Sequence, residues 1–316
     1  MRYSETGSAL LRRHAPQLGL VSAFAVMLLV FSLLSPVFLT AGNFVNIANQ
    51  TAIISVLAFG MTLVMLSGGI DLSVGSIVSL SAVICALLLG ADLPAPLAIG
   101  AVLLTGAGLG AVSGLISVTW AIQPFLVTLG VLSIARGLSL VLSGGRTIYI
   151  ENESFLAVSA QGKLGPVPAL FVWTLLCFAS TWVLLNLTTF GRRVRAVGGN
   201  LQAARHAGIR TGWVVVRVFM LSGGLAAFAG LMMAGRLSSG LPSVGVGLEL
   251  DAIAAAVLGG TGFKGEGGSL VGTLFGALMM GTVINGLTIL GVNPYVQEIA
   301  KGAIIILAVV IVSLRR

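Results

Sequence analysis

The sequence predicts an all-α, polytopic membrane protein with about ten transmembrane or half-membrane helices and a weak internal repeat. Composition is the first reason. Of the 316 residues, 57% are hydrophobic and only 8% are charged, whereas a soluble domain carries about 25% charged residues. The second reason is that the apolar residues fall into long runs separated by short polar or Gly/Pro segments. Such a chain cannot cover itself with polar surface, so its solvent is a lipid bilayer.

The individual spans follow from the length that a helix needs, which is about 17 to 25 mainly apolar residues. The candidate spans are residues 18–39, 44–66, 74–91, 94–119, 124–143, 168–188, 213–235, 250–262, 268–291 and 295–314. We expect residues 1–17 to be a cytoplasmic N-terminal tail and residues 18–316 to be a single transmembrane domain. The eighth segment is short enough to be a half-helix or a re-entrant segment, which a membrane allows where protein or a wet cavity satisfies the backbone.

The basic residues predict the orientation of the chain. The formal charge is +8, but most of the basic residues lie at the two ends and in one loop between apolar runs. This arrangement is typical of membrane topology and not of a nucleic-acid surface. The loop at residues 189–212 holds the densest basic cluster: Arg192, Arg193, Arg195, Arg205 and Arg210. An even number of crossings places both termini and this loop in the cytoplasm, as the positive-inside rule requires. The polar segment 143–168 is then the main outside loop.

Few residues could bind a metal or form a disulfide. Cys85 and Cys177 lie in separate apolar spans, and His14 and His206 are the only histidines. The sequence therefore predicts neither a disulfide nor a metal site.

Charged residues within or beside the spans could pair with one another or face a polar cavity. They are Arg136, Glu249, Asp251, Glu298 and Lys301. Glu298 and Lys301 lie one helical turn apart and can form an ion pair. No group among the five has the pattern of a catalytic dyad or triad, so we predict no catalytic residue and no enzyme.

Glycines four residues apart let helix backbones approach closely in a membrane. They occur in two spans: Gly106, Gly110, Gly114, and Gly272, Gly276. We predict tight helix packing at both places.

Two glycine-rich segments interrupt the apolar runs: "SGGIDLSVGS" at residues 67–76 and "LGGTGFKGEGGS" at residues 258–269. Each has a glycine pair, a polar or charged insert and a Gly-Ser or Gly-Gly-Ser, which is the weak internal repeat. Paired interruptions of this kind indicate a substrate path at broken helices. The predicted break residues are Gly68, Gly69, Asp71, Ser73, Gly75, Gly259, Gly260, Gly267 and Gly268. The second segment also contains G-x-G-x-x-G, but it lacks both the βαβ context and the Lys-Ser/Thr of a phosphate-binding loop, so we predict no bound nucleotide or other cofactor.

Asp71 has three possible roles. The carboxylate can cap the helix that follows it, accepting an N–H two or three residues on. It could instead contact the substrate directly or carry a coupling proton. We favour the capping role.

The basic loop contains "GRRVRAVGGNLQAARHAGI", residues 191–209. This stretch predicts a break at Gly198 and Gly199, an N-cap at Asn200, a short helix over residues 201–207 and a C-cap at Gly208. A short capped helix outside the membrane is suited to docking a partner. The alternative is a surface loop whose basic residues lie at lipid headgroups.

These stretches resemble the sugar permease subunits of bacterial ATP-binding cassette (ABC) importers, the ribose permeases in particular. The matching segments are "GMTLVMLSGGIDLSVGS", "GRRVRAVGGN" followed by "GI", "ELDAIAAAVLGGT" and "GGSLVGTLFGALMMGTVINGL". They extend from about residue 44 to the last span, and their combination is specific to the family.

The resemblance implies a multi-pass protein of the bacterial inner membrane that works as a dimer with an identical or paralogous permease. It also implies cytoplasmic ABC ATPase subunits, which bind ATP and Mg, and a periplasmic sugar-binding protein. The segment 200–208 would be the coupling helix that seats in the ATPase. Its residues are Gly199, Asn200, Ala203, Ala204, Arg205 and Gly208. Many relatives carry Glu-Ala where this chain has Leu201 and Gln202, which leaves the polar contacts of the helix open.

The predicted function is alternating access for a monosaccharide, powered by a partner ATPase. A sugar path needs neutral hydrogen-bonding groups and aromatic faces. The candidates within apolar segments are Asn46, Asn49, Gln50, Phe125 and Asn285. The alternatives are a secondary transporter with Asp71 or Glu249 as its proton carrier, an ABC permease for a nucleoside or branched-chain amino acid, and a receptor-like membrane protein that transports nothing.

Overall fold

The computed structural model describes residues 7–164, 167–262, 265 and 267–314. Within them it has thirteen helices and four strands of two residues each. The helices are α1 (Gly7–Leu34), α2 (Ala41–Leu66), α3 (Val74–Gly90), α4 (Ala95–Thr119), α5 (Pro124–Ser143), α6 (Glu153–Ser159), α7 (Ala169–Leu187), α8 (Thr189–Gly199), α9 (Leu201–His206), α10 (Thr211–Leu237), α11 (Leu248–Leu258), α12 (Leu270–Ile289) and α13 (Pro294–Leu314). The prediction of an all-α membrane protein is confirmed.

Six of the described helices are long and apolar enough to cross a membrane: α2, α4, α5, α7, α10 and α12. Helix α3 and the Val21–Leu34 part of α1 are shorter apolar helices. Helix α11 has 11 residues and is about 16 Å long, which is too short to cross the hydrocarbon core. This agrees with the expected half-helix at residues 250–262.

The first helix departs from the predicted boundaries at both ends. It begins at Gly7, inside the segment expected to be a tail, and ends at Leu34, five residues before the predicted end of the span. Pro36 follows directly after Ser35, and the residue before a proline is disfavoured in a helix. A turn therefore separates α1 from α2, which begins after Thr40 with the Thr40 side chain accepting the Asn43 N–H.

The segment after α5 is more ordered than a plain loop. It contains β1 (Ile148–Tyr149), α6, β2 (Lys163–Leu164) and β3 (Val167–Pro168). Strand β1 pairs antiparallel with β4 (Ser239–Gly240), which directly follows α10. The end of α5 and the end of α10 are thereby joined at one end of the bundle, which we name the β1–β4 end. Helices α8 and α9 lie at the other end, between α7 and α10, and we name it the α9 end.

Helix α2 is the centre of the bundle, buried continuously from Thr51 to Leu66. It packs against α7, α10, α11 and α12, while α10 also packs against α3 and α4. A helix that is apolar all round and covered on all sides needs no polar face. The short helices α3 and α11 both lie next to α2 or α10, away from the periphery.

The tight packing predicted from glycine spacing is confirmed. A Cβ on Gly110 would collide with the carbonyl oxygen of Phe219 in α10, and one on Gly114 would lie 2.8 Å from the Val216 Cα. On α12, a Cβ on Gly276 would collide with the carbonyl oxygen of Ala255 in α11. These contacts are between backbones, so neighbouring side chains cannot relieve them by changing rotamer.

We expect Gly110→Ala to lower the thermal unfolding midpoint of the detergent-solubilised protein, because overpacking a fixed backbone contact costs about 1–3 kcal/mol. The matched control is Gly108→Ala on the same helix, where an added Cβ meets nothing within 4 Å. That variant should melt at the wild-type midpoint or above it. Equal midpoints for the two variants would contradict this account of the α4–α10 contact.

Candidate translocation and coupling site

The first break runs from Ser67 to Ser73, between α2 and α3. Gly68 has a φ of +84°, a conformation that glycine adopts without steric cost. The chain then turns back along α10: a Cβ on Gly69 would lie 3.2 Å from the Phe219 ring, and Asp71 reaches Ser222. Since Ser222 lies eleven residues after the first residue of α10, it is about 16 Å along that helix. Non-helical backbone at this depth is tolerated because protein surrounds it.

Asp71 ties the break to α10. It is fully buried, with 0% exposure. Its Oδ1 accepts the Ser73 backbone N–H at 3.0 Å and the Ser73 hydroxyl at 2.6 Å, and its Oδ2 accepts the Ser222 hydroxyl at 2.9 Å. The predicted N–H bond two residues on is therefore present. The predicted capping position is wrong by two residues, however, because Ser73 is the N-cap of α3. The bond to Ser222 was not predicted, since nothing in the sequence joins residues 151 apart.

A second buried carboxylate, Glu249, closes on the start of α3. A Cβ on Gly75 would collide with Glu249 Oε2 and with the backbone carbonyl oxygen of Gly245, which cannot move aside as a side chain can, so only glycine fits there. That oxygen has no hydrogen-bond partner among the described residues, and neither has Nε of Arg136. Arg136 acts on Glu249 electrostatically without forming a direct ion pair.

The predicted ion pair between Glu298 and Lys301 is present, as part of a group of three charged residues. Lys301 Nζ lies 2.8 Å from Glu298 Oε1, as the sequence predicted, and 3.4 Å from Asp251 Oδ2. The contact with Asp251 fastens α13 to the half-helix α11.

The second break lies between α11 and α12. Its glycines adopt left-handed conformations, with φ of +90° at Gly260, +66° at Gly267 and +84° at Gly268. Thr261 pairs with Gly267 in an isolated antiparallel bridge. Ser269 then caps α12, its Oγ accepting the Gly272 N–H at 3.0 Å. Gly259 is in contact with Gly272 and Thr273 at the start of α12, so the two helices leave the break side by side.

Both breaks touch α8 at one residue, Gly198. A Cβ on Gly198 would collide with the carbonyl oxygen of Leu66 and lie 3.3 Å from the Gly265 Cα. A Cβ on Gly68 would lie 3.9 Å from the Gly198 Cα. The predicted break at Gly198 and Gly199 is wrong, because α8 continues through both and the chain reverses at Asn200. The sequence suggested that glycine is present at position 198 to form a turn. In the structure it lets α8 approach Leu66 and Gly265 closely.

The short helix α9 follows directly and has the predicted N-cap. Asn200 Oδ1 accepts the Ala203 N–H at 2.9 Å. The C-cap is Ala207, one residue earlier than predicted, and Gly208 follows it with a φ of +77°. Ala204 is buried in an apolar cluster shared with α8 and α10. Other residues of α9 are exposed, among them Leu201 and Ala203.

Arg205 helps to anchor α9, since its Nε donates to Thr211 Oγ1 at 3.2 Å. Thr211 is the first residue of α10. Helix α9 is therefore fixed to α8 and to α10 while it presents one free face.

Unpartnered polar atoms occur around one stretch of α2, Asn49 to Ser55, and on the neighbouring helix α12. Among the described residues, these side-chain atoms are buried and lack a hydrogen-bond partner: Asn49 Oδ1, Gln50 Oε1, Thr51 Oγ1, Ser55 Oγ and Asn285 Oδ1. Thr51 lies against Gly281 of α12, and Asn285 is one turn beyond Gly281. The hydroxyl groups of Thr62 and Thr273 are also in contact, at the α9 end. The two contacts show that α2 and α12 are antiparallel. Asn285 therefore lies level with the turn of α2 that precedes Thr51. We name this group the α2–α12 polar cluster.

The structure separates the predicted path residues. Asn49, Gln50 and Asn285 belong to the α2–α12 polar cluster, whereas Asn46 is exposed one turn earlier on α2. Phe125 lies at the first turn of α5, which packs mainly against α3 and α4. Its carbonyl oxygen accepts the Thr128 hydroxyl at 3.1 Å, and Thr128 Oγ1 accepts the Leu72 N–H. Phe125 is therefore beside the first break.

Comparison with known proteins assigns the architecture to a family. The profile of a family described as the branched-chain amino acid transport system, permease component, matches residues 43–309. The chain belongs to this permease family. The permease is 41% identical over 293 residues to the ribose import permease of Escherichia coli (strain K12), covering 92% of this chain and 91% of the relative. No solved structure gave a significant match.

Two further relatives are similarly close. The ribose import permease of Bacillus subtilis (strain 168) is 42% identical over 304 residues, covering 95% of this chain and 92% of the relative. The D-allose transport system permease of Escherichia coli (strain K12) is 38% identical over 296 residues, covering 92% and 90%. The chain is therefore a multi-pass transport permease and not an enzyme.

Sequence reasoning about this permease missed Thr51, Ser55 and Ser222. The sequence held a signal for the first two. Thr51 and Ser55 are polar residues within an apolar span, and they are four residues apart, a spacing that puts them on one helix face.

We expect Asp71→Ala to destabilise the permease, because it leaves the donors of Ser73 and Ser222 buried without an acceptor, at a cost of about 1–3 kcal/mol. Asp71→Asn should stay close to wild type, since the amide oxygen can accept from Ser73 and the amide N–H can donate to the Ser222 oxygen. Thermal unfolding in detergent measures both, with the exposed Glu151→Ala as the control for loss of a carboxylate. If Asn is as destabilising as Ala, the negative charge itself is required and this hydrogen-bond account is wrong.

Proposed function

We propose that this permease is the transmembrane subunit of an ABC importer that moves a monosaccharide of the ribose type across the bacterial inner membrane. Its relatives are named as permeases for ribose, D-allose and L-arabinose. The observation that carries the mechanism is the junction at Gly198, where the helix leading to the free face of α9 touches both breaks. ATP and Mg would be bound by the partner ATPase.

In this mechanism α9 is the coupling helix. Its free face, with Leu201 and Ala203, seats in the ATPase, while Ala204 and Arg205 hold it to the permease. Helix α8 has the role of a lever. It has eleven residues, and its Gly198 leaves no gap against Leu66 and Gly265. A displacement of α9 by the ATPase is therefore passed to both breaks at once.

The α2–α12 polar cluster is proposed as part of the sugar path. A sugar hydroxyl both donates and accepts hydrogen bonds, so it can satisfy amide and hydroxyl oxygens that the protein leaves unpartnered. Neutral groups bind such a substrate without the cost of burying a charge. Asn49, Gln50 and Asn285 supply the amides, and Thr51 and Ser55 supply hydroxyls.

The orientation follows from the coupling role. The α9 end, with its basic residues, faces the cytoplasm, and both termini lie on the same side. The β1–β4 end then faces a periplasmic sugar-binding protein. A second permease subunit, identical or paralogous, completes the translocation path.

A proton-coupled secondary transporter is the second candidate, and one observation favours it. Glu249 Oε2 is buried, unpartnered among the described residues and in contact with Gly75 at the first break. A buried carboxylate without a partner can take up a proton during transport. Asp71 suits this role less well, because both of its oxygens already accept hydrogen bonds.

The two candidates predict different energy sources. In proteoliposomes that contain the permease, its ATPase and the binding protein, we expect uptake of labelled ribose to require ATP and to persist with an uncoupler. Ala203→Asp should abolish this uptake, because it places an unpaired charge in the docked face and weakens ATPase association by about 3 kcal/mol, roughly a hundredfold. Co-purification with the ATPase measures the association.

The control is Ala157→Asp, an equally exposed alanine on α6 at the β1–β4 end, which should bind the ATPase as wild type does. The permease alone should hydrolyse no ATP. Undiminished ATPase recovery with Ala203→Asp would remove the coupling role from α9, and uptake that an uncoupler stops at constant ATP would favour the proton-coupled mechanism.

The lever role of Gly198 has its own test. We expect Gly198→Ala to reduce ATP-driven uptake at least tenfold while the ATPase still co-purifies, because the added methyl forces α8 away from Leu66 and Gly265. Gly130→Ala on α5, where an added Cβ meets nothing within 4 Å, should transport normally. Normal transport by Gly198→Ala would show that the contact does not transmit the motion.

A further inference from the structure

A basic cavity of about 550 Å³ lies between α8 and the start of α10, apart from the α2–α12 polar cluster and from both breaks. Three arginines line it: Arg193 on α8, Arg210 just before α10, and Arg217 within α10. Phe190 and Trp213 add aromatic surface. The proposed transport mechanism uses none of these five side chains.

The three arginines have no ion-pair or side-chain hydrogen-bond partner among the residues that the structure describes. Within the described ranges, the ion pairs are those that Lys301 makes with Asp251 and Glu298, and no acidic side chain lines the cavity. Helix α10 also begins at the cavity without a side chain that caps its first N–H groups. Unsatisfied N–H groups and the positive end of the helix dipole favour an anion at such a position. Like charges held together in one cavity need a counter-charge from outside the chain.

The surface beside the cavity is apolar and faces outward. Trp213, Arg217 and Met220 lie four and three residues apart, on one face of α10. Trp213 is 59% exposed and Met220 38% exposed. On a helix that crosses a membrane, an exposed apolar face contacts lipid, and a tryptophan near the helix end marks the headgroup level. Arg217 lies six residues after Thr211, about 9 Å along the helix, so the positive charge extends from the helix start towards the acyl region.

We propose that this cavity binds an anionic phospholipid, with its phosphate held by Arg193, Arg210 and Arg217 and its acyl chains along the face of Trp213 and Met220. Guanidinium groups present paired donors that match two oxygens of a phosphate. A soluble anion would satisfy the arginines but would leave the apolar face without a partner. An acidic protein surface could contact Arg210. Arg217, however, lies about two helical turns further into the membrane-spanning helix, beyond the reach of such a surface.

The test compares two triple variants of the full-length permease that lose the same charge. The cavity variant carries Arg193→Gln, Arg210→Gln and Arg217→Gln. The control variant carries Arg146→Gln, Arg192→Gln and Arg195→Gln, which are exposed arginines outside the cavity. Native mass spectrometry of each protein, titrated with phosphatidylglycerol or phosphatidylcholine, measures lipid affinity. Each arginine near an anionic lipid contributes about fivefold in affinity, so the cavity variant should bind phosphatidylglycerol roughly a hundredfold more weakly.

The control variant should bind phosphatidylglycerol with wild-type affinity, and phosphatidylcholine should bind all three proteins equally weakly. Inorganic phosphate at the same concentration should not displace the lipid. If the cavity variant does not fold, the single variant Arg210→Gln, at an exposed position before α10, should show the fivefold loss alone.

Three results would overturn the proposal. The first is equal phosphatidylglycerol affinity in the two triple variants. The second is complete displacement of the lipid by inorganic phosphate, which would make the cavity a site for a soluble anion. The third is loss of ATPase co-purification in the cavity variant with lipid affinity unchanged, which would make the cavity part of a protein interface.

Discussion

The arrangement of this permease depends on one constraint, that backbone polar groups inside a bilayer must find partners within the protein. The first break leaves helical geometry at membrane depth, where lipid offers no hydrogen-bond partner to the backbone. The first break is satisfied by side chains from distant elements: Asp71 accepts the Ser73 N–H, and Thr128 of α5 accepts the Leu72 N–H at 3.1 Å. Ser79 of α3 likewise accepts the Gly245 N–H at 2.9 Å, just before α11. Helices α3, α5 and α10 each supply a polar side chain to the first break or to the segment before α11: Ser79, Thr128 and Ser222.

This constraint also explains the distribution of glycine. At Gly68, Gly260, Gly267 and Gly268 the left-handed backbone requires it. At Gly75 and Gly198 the backbone is ordinary, and glycine is required because a backbone carbonyl oxygen, of Gly245 or of Leu66, occupies the place of a Cβ. The second kind of glycine makes rigid contacts. A bundle joined through backbone contacts passes on a displacement with little loss, since no flexible side chain lies between the parts to absorb it.

The polar groups inside the bundle fall into two kinds with different consequences. Both oxygens of Asp71 accept hydrogen bonds, which tie the break to α10 and favour a structural role. The amides and hydroxyls of the α2–α12 polar cluster are unpartnered, and each such group is costly unless a ligand or water satisfies it. A membrane protein that retains several of them within two turns of one helix and on its neighbour has a polar region that a hydrophilic solute can use. Glu249 is the exception, because its Oε2 has no hydrogen-bond partner among the described residues, and its protonation is therefore central to the alternative mechanism.

The sequence by itself determined the class of the protein, the position of most spans, both breaks and the capped helix α9. These features depend on local chemistry: apolar run length, glycine conformation and an asparagine N-cap act within a few residues. Only the tertiary structure decided that Asp71 bonds to Ser222, that Gly198 lies inside a helix and touches both breaks, and that Phe125 is separate from the amides of α2 and α12. It also decided that Arg193, Arg210 and Arg217 share one cavity. Each of these facts is a contact between helices far apart in the chain, and apolar helices of similar composition carry no signal of which face meets which neighbour, because that choice is made by the packing of the whole bundle.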